Sequence, residues 1–274
     1  MSLVINTNPT SLAAQRNLAA TTRGLASNVG RLSSGLRINQ ASDDAAGLGI
    51  SERLKAQIRG LGQAARNAND GISMIQVADG AMNEQAGILI RLRELAVQSA
   101  NGTIGSQERG YIAAEANQLM SEIDRISAVT EFNGVRMLAS GSAAIEMQVG
   151  ILGDADSRLS VAFAATTTSA LSMTGMSLSG VASSQTALST LDSAINSLSS
   201  RRASIGAAQN RLTITVSNLA VAEENLSAAN SRIRDVDVAK ETAALTRNQI
   251  LSQAGIAMLS QANQLPAAAL SLIG

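Results

Sequence analysis

Large aliphatic side chains recur every seven residues through the C-terminal half of the chain. Leu191, Leu198, Ile205, Leu212, Leu219, Leu226 and Ile233 form one such row. A companion row, Leu188, Ile195, Arg202, Gln209, Val216, Glu223 and Asn230, alternates between apolar and polar. Together they make a 4–3 repeat, the period at which a helix presents one face to a partner helix. Neither of the two prolines, Pro9 and Pro266, interrupts it. The spacing predicts a helix over about 185–234, roughly 75 Å long at 1.5 Å per residue. An average globular helix has about 12 residues, so the element reads as a rod.

A second 4–3 stripe runs through Leu54, Ile58, Leu61, Ala65, Ala68, Ile72, Ile75, Asp79, Met82, Ala86 and Leu89, with Asp79 its one charged breach. A third and shorter stripe is Ile112, Ala116, Leu119, Ile123 and Ile126. Between them, residues 101–106 (Asn-Gly-Thr-Ile-Gly-Ser) read as a turn joining antiparallel helices. Gly60, Gly62, Gly71, Gly80 and Gly87 lie inside the second stripe. Each costs about 1 kcal/mol against Ala in a helix, which fits close approach of neighbouring helices there, the alternative being a locally weak helix.

The two ends share a character. Leu18, Leu25 and Leu32, with Val29 and Leu36, give a 4–3 pattern near the start, and Leu251, Met258, Leu265 and Leu272 lie seven apart near the end. Such narrow stripes bury little surface alone. They predict helices that are marginal in isolation and order against each other and against other chains. The helical pattern breaks once. Ile145, Met147, Val149 and Ile151 alternate with other residues, as do Leu159, Val161 and Phe163, which predicts a β-hairpin. Residues 166–184, mostly Ser, Thr, Gly and Ala, are expected to be an exposed connection. The fold class is therefore mainly α: a long antiparallel helical rod or coiled coil with a small β-hairpin region and terminal helices that come back together.

Composition sharpens this picture. Aromatic residues make up 1% of the 274 residues while apolar residues make up 45%, supplied by Ala, Leu, Ile, Val and Met. Such a core suits closely packed helices rather than sandwiches or α/β sheets. Lys plus Arg equals Asp plus Glu, 21 each, and the only lysines are Lys55 and Lys240. Zero net charge gives no global attraction for nucleic acid or an anionic membrane, and removes repulsion between copies. The opening MSLVINTNPT lacks the basic and apolar segments of a cleavable secretory signal, and no stretch reaches the ~20 apolar residues of a membrane span.

Chemistry is sparse. With no Cys, no His and no Trp, the chain lacks the commonest general base, the thiolate ligands and the Cys nucleophile. Asp43-Asp44 follows Ser42 and reads as helix-start chemistry rather than a metal or acid–base pair. Gly47-Leu48-Gly49 follows no strand and is too short for a dinucleotide loop. Asp154-Ala155-Asp156 lacks the later acidic positions of a calcium loop and reads as a hairpin turn. Arg201-Arg202 is too isolated for a nucleic-acid patch. No catalytic residue, cofactor or metal is expected, and an enzyme is the least favoured reading.

Longer words in the sequence then matter. INTNPTSLAAQRNL, LSSGLRINQASDDAAGLGISERL, RELAVQSANG, TEFNGVRML, and a C-terminal run from ENLSAANSRIRDVDVAK to NQILSQAGIAMLSQANQLPAAALSLI closely resemble bacterial flagellin. The matches lie in order over about 1–165 and 185–274. The resemblance implies an inner coiled-coil domain from about 1–42 and 235–274, and a rod domain over 43–234 divided into 43–165, with the hairpin near 145–163, and a C-terminal helix over 185–234. Residues 166–184 stand where larger members carry outer domains, so this resembles a minimal flagellin.

The function so implied is a structural subunit that polymerises into the helical tubular filament of the bacterial flagellum and serves motility. It would lie outside the cell, exported without a cleaved signal peptide. Implied partners are further copies of the chain, the flagellar export apparatus and an export chaperone, the filament cap and hook-associated proteins, and an innate immune receptor of a host. Positions matching the receptor-recognised region are Arg91, Leu95 and Glu115. Nucleic acid and membrane insertion are not implied. The row Leu18, Leu25, Leu32, Leu251, Met258, Leu265 and Leu272 is the expected assembly stripe of the inner domain. Leu191 to Ile233, at seven-residue steps, is the expected core stripe of the rod. A hook–filament junction adaptor shares related terminal helices and is the alternative; a helical membrane-surface protein is disfavoured by neutral charge and missing aromatic anchors.

Overall fold

The computed structural model describes residues 7–139 and 144–270, the side chains of 265–270 excepted. Five helices carry most of the described chain: α1 (Pro9–Ser34), α2 (Ala45–Ser99), α3 (Ser106–Val129), α4 (Val181–Arg234) and α5 (Val238–Leu270). Two antiparallel pairs, β1 (Glu131–Phe132) with β2 (Val135–Arg136) and β3 (Ala144–Gln148) with β4 (Arg158–Ala162), lie between α3 and α4. The chain divides into one unit of residues 57–224 and another of 1–56 with 225–274.

In the 57–224 unit the core runs along α2. Leu61, Ala68, Ile75, Met82, Leu89 and Ala96 are buried at seven-residue steps, and Ala64, Ala78 and Leu92 are buried with them. Gly71, Gln85 and Ser99 complete this second row. The companion positions expected from apolar spacing, Ala65, Ile72, Asp79 and Ala86, are half-buried along the flank. The buried face is thus wider than a two-helix seam, because α3, α4 and the hairpin all share the core. Ile112, Ala116 and Ile123 enter from α3; Leu191, Leu198, Ile205 and Leu212 from α4; and Met147, Val149, Leu159, Val161 and Phe163 from β3, β4 and their flanks. The register Ile145↔Val161 and Met147↔Leu159 puts alternate side chains on one face, as a half-buried hairpin requires.

The charged breach on α2 meets the charged member of the α4 companion row. Arg202 Nε donates to Asp79 Oδ1 at 2.8 Å and Nη1 to Asn83 Oδ1 at 3.2 Å. The space left by the glycines is taken by the hairpin as well as by a neighbouring helix. A methyl at Gly60 would lie 2.9 Å from Ile151 Cγ2, and one at Gly71 would overlap Met147 Sδ and lie 3.3 Å from Leu212 Cδ1 on α4. Gly80 and Gly87 face open space.

Two further features depart from the expectations. First, β1 and β2 form a second hairpin, turned by Asn133 (φ 50°) and Gly134 (φ 78°). Both central residues have positive φ, which the Asn-Gly pair accommodates. Second, residues 166–184 are not simply an exposed connection. Leu171, Met173 and Leu178 are buried in the same core. Ser99 Oγ donates to Leu178 O at 2.6 Å and Ser184 Oγ donates to Ser99 Oγ at 2.9 Å. Thr166 Oγ1 lies 3.2 Å from Ser127 Oγ, which accepts from Gln85 Nε2 at 2.9 Å. Three apolar side chains and satisfied buried hydroxyls hold a stretch whose composition suggests solvent.

In the other unit α1 and α5 pair antiparallel: Asn8 Nδ2 donates to Ala262 O at 2.7 Å, Ser11 Oγ to Asn263 Oδ1 at 2.8 Å, and Gly255 faces Leu18. α1 begins with Asn8 as cap, its Oδ1 accepting from Ser11 N, and Pro9 as the first helical residue. It ends at Gly35 (φ 70°). The segment after it pairs with the α4–α5 corner, Arg37 N donating to Arg234 O at 2.7 Å and Val236 N to Gly35 O at 3.0 Å. Asp44 Oδ1 accepts from Gly47 N at 2.8 Å and starts α2. Asp43 Oδ2 accepts from Asn39 N and Gln40 N. Both carboxylates are thus used by backbone amides.

A candidate assembly surface

The α1–α5 pair buries less than two coiled-coil helices with full apolar seams. On α1 the row facing the partner is Ser11, Leu18, Leu25 and Leu32, with Leu18, Leu25 and Leu32 half-buried. On α5 the inward row is Leu245, Asn248, Ser252, Gly255, Leu259 and Ala262. Only Leu245 and Leu259 among these are large and apolar, so the helices approach closely but gain little apolar burial. Leu251 and Met258 point the other way, 50% and 65% exposed, and Ile250, next to Leu251, is exposed as well. The expected stripe therefore splits: its α1 members face α5, while Leu251 and Met258 face solvent in the single chain. The Leu265 side chain and Leu272 lie outside the described residues.

Ile250, Leu251, Ala254 and Met258 sit at steps of one, three and four, which places them on one helix face. α1 adds exposed Leu12 and Val29. No charged side chain interrupts positions 248–264 of α5. A long apolar face on a helix, exposed among the described residues, is what a surface awaiting another protein looks like.

The expected rod stripe lies inside. Leu191, Leu198, Ile205, Leu212 and Leu219 are buried, whereas Leu226 and Ile233, which belong to the other unit, are half-buried. Arg91 and Glu115 are brought together on the surface: Arg91 Nη2 lies 2.9 Å from Glu115 Oε1, and Nη1 lies 3.0 Å from Glu94 Oε2. The Glu115 hydrogen bond, then that of Glu94, raises the Arg91 pKa further above its ordinary value. Leu95 is 1% exposed and belongs to the core, so it offers no contact surface beside them. Among the described residues no group of three or more acidic, His or Cys side chains is placed to hold a metal, and no helix is long and apolar enough to cross a membrane.

A helical core in one unit and exposed apolar helix faces in the other are features of a structural protein. The chain belongs to the bacterial flagellin family. Residues 5–143 match the bacterial flagellin N-terminal helical region and residues 188–273 the C-terminal helical region. It is 44% identical to the flagellar filament 33 kDa core protein of Treponema phagedenis over 99% of this chain and 100% of that one. It is also 44% identical to a flagellin of Halalkalibacterium halodurans, again over 99% and 100%. The crystal structure of Bacillus cereus flagellin aligns with a TM-score of 0.51 at 33% identity, covering 56% of this chain and 88% of that one. A putative flagellar hook-associated protein from Vibrio parahaemolyticus aligns with a TM-score of 0.60 at 12% identity, over 70% and 100%, a likeness of fold alone. The relatives support a structural subunit of the extracellular flagellar filament that polymerises with itself, and nothing in them favours the junction-adaptor alternative.

Proposed function

We propose that copies of this chain join chiefly through the outward faces of α5 and α1, with Leu251 and Met258 covered by neighbouring copies. The observation that carries this reading is the exposed apolar face at Ile250, Leu251, Ala254 and Met258. Covering the remaining exposed surface of Leu251 (50%) and Met258 (65%) contributes roughly 2–3 kcal/mol per contact before association entropy is subtracted, at about 1.5–3 kcal/mol for a whole side chain. Repeated along a filament, such a contact supports cooperative growth. The test is Leu251→Asp, followed by sedimentation after ammonium sulfate is added. Loss of pelletable filament with unchanged monomer circular dichroism supports the reading, and normal filaments sink it.

The finer partners follow from the same reading. An export chaperone would cover the α5 face before secretion, since that face is the apolar surface most in need of shielding. The export apparatus, the filament cap and the hook-associated proteins would meet the same terminal helices. Host receptor recognition would use Arg91 and Glu115, which are exposed, and not Leu95, which is buried. A cell reporter assay with purified monomer tests it: a silent wild type removes the idea. The role is structural throughout, with no catalytic step assigned to any residue.

A further inference from the structure

Composition leaves this chain few side chains that oxidise easily. It has no Cys, no Trp and no His, and nine Met. Met1 lies outside the described residues. Met74, Met82, Met137, Met147 and Met173 are buried, and Met120 and Met176 are half-buried against the core. Met258 alone among the described methionines is strongly exposed, at 65%. It also lies on the face to which we assign subunit contact.

We propose that Met258 is an oxidative modification site, and that its conversion to the sulfoxide by a peroxide withdraws a free subunit from filament growth. This rests on the contact reading of the α5 face given above. In the step, a lone pair on Met258 Sδ attacks a peroxide oxygen, the O–O bond breaks, one S–O bond forms, and water leaves. Sulfur loses two electrons and hydrogen peroxide gains them. The product replaces a flexible apolar thioether by a polar, chiral sulfoxide.

The consequence differs between free and assembled subunits. In the free subunit the sulfoxide oxygen is hydrated and the helix is unaffected, because Met258 is 65% exposed. In a contact between copies the oxygen loses that hydration, and the Ile250, Leu251 and Ala254 side chains beside it carry no donor to replace it. An unpartnered polar group in such a contact raises the critical concentration for growth by about tenfold or more. In the assembled filament the same thioether is covered, so modification there is slow.

The experiment treats purified full-length monomer with hydrogen peroxide, maps the added oxygen by peptide mass spectrometry, and then measures the critical concentration for filament formation. The expected result is oxygen at Met258 before Met120 or Met176, unchanged circular dichroism, and a critical concentration about tenfold higher or more. Methionine sulfoxide reductase should restore the original value, and Met258→Gln should show the raised value without oxidant. Preformed filaments should gain oxygen at Met258 at least about tenfold more slowly than monomer. Oxygen at Met258 with an unchanged critical concentration overturns the inference, as does earlier oxidation of Met120 or Met176. Leu251→Asp separates the two levels: if it abolishes filaments while the sulfoxide form grows normally, only this inference fails; if both grow normally, the contact reading fails with it.

Discussion

Gly71 and Gly80 sit nine residues apart on α2, and replacing each by Ala asks what its surroundings require. In a helix interior Ala is better than Gly by roughly 0.8–1 kcal/mol. At Gly80 nothing lies within reach of an added methyl, so Gly80→Ala should keep that whole gain. For a unit of this size, about 1 kcal/mol corresponds to roughly 2–4 °C in Tm. At Gly71 the methyl would overlap Met147 Sδ and lie 3.3 Å from Leu212 Cδ1. Both neighbours are buried, so relief means displacing β3 or forcing Met147 off its rotamer. Overpacking of this kind costs about 1–3 kcal/mol, which offsets the helical gain and leaves a net loss of up to about 2 kcal/mol.

The two variants should therefore differ by about 2 kcal/mol, or roughly 4–8 °C, with Gly80→Ala above wild type and Gly71→Ala at or below it. Thermal melting followed by circular dichroism at 222 nm reads this directly. In a Met147→Ala background the overlap is gone and the 3.3 Å approach to Leu212 Cδ1 remains, so Gly71→Ala should cost less than it does in the wild type. Equal rises in Tm for both single variants would refute the reasoning, because β3 would then not be seated on α2 at Gly71.

Further outcomes follow from the same structure. Leu198→Ala, at a position 1% exposed, should lower stability by about 2–5 kcal/mol; Ile214→Ala, 61% exposed on the same helix, should change it by no more than about 0.5 kcal/mol. Chemical denaturation compares the two. Arg202→Ala should destabilise only modestly, by up to about 1 kcal/mol, because both members of the Asp79 pair keep a third or more of their side-chain surface in water. The amides of Gln40 and then Asn39, with Arg31 contributing less, hold the Asp43 pKa below its ordinary value. A depressed folded pKa means the contribution is present above the unfolded value of about 3.9 and is lost as pH falls through the folded pKa. Asp43→Asn should therefore flatten the acid limb of the melting-temperature profile below about pH 4, and an unchanged limb would contradict that role.

Much of this fold was legible in large apolar residues. The α4 row from Leu191 to Leu219 and the alternation over 145–163 predict a buried helix face and a hairpin, and both are present. What escaped was carried by small or polar residues. The second row of the α2 core is Ala64, Gly71, Ala78, Gln85, Leu92 and Ser99, of which only Leu92 has a large apolar side chain. Gly71 is hidden because Met147 fills its space, and Gln85 because Ile123 O and Ser127 Oγ satisfy its amide. Those partners come from elements far along the chain, which local periodicity does not encode. The Asn133-Gly134 hairpin did carry a local signal, an Asn-Gly pair between Phe132 and Val135. Leu171, Met173 and Leu178 are scattered among Ser, Thr and Gly without a period, so nothing in their spacing marks them as core.

At the assembly surface the seven-residue spacing of Leu251 and Met258 shows that they share a helix face but not which neighbour covers it. The answer turns on Asn248, Ser252 and Gly255, whose smallness brings α1 to the opposite side of α5.

The most direct test of the central claim is electron cryo-microscopy with helical reconstruction of filaments grown from the purified protein. The account predicts uniform tubes in which Leu251 and Met258 are buried against side chains of neighbouring copies. Persistent monomers under polymerising conditions, or tubes in which both side chains remain open to solvent, would contradict it.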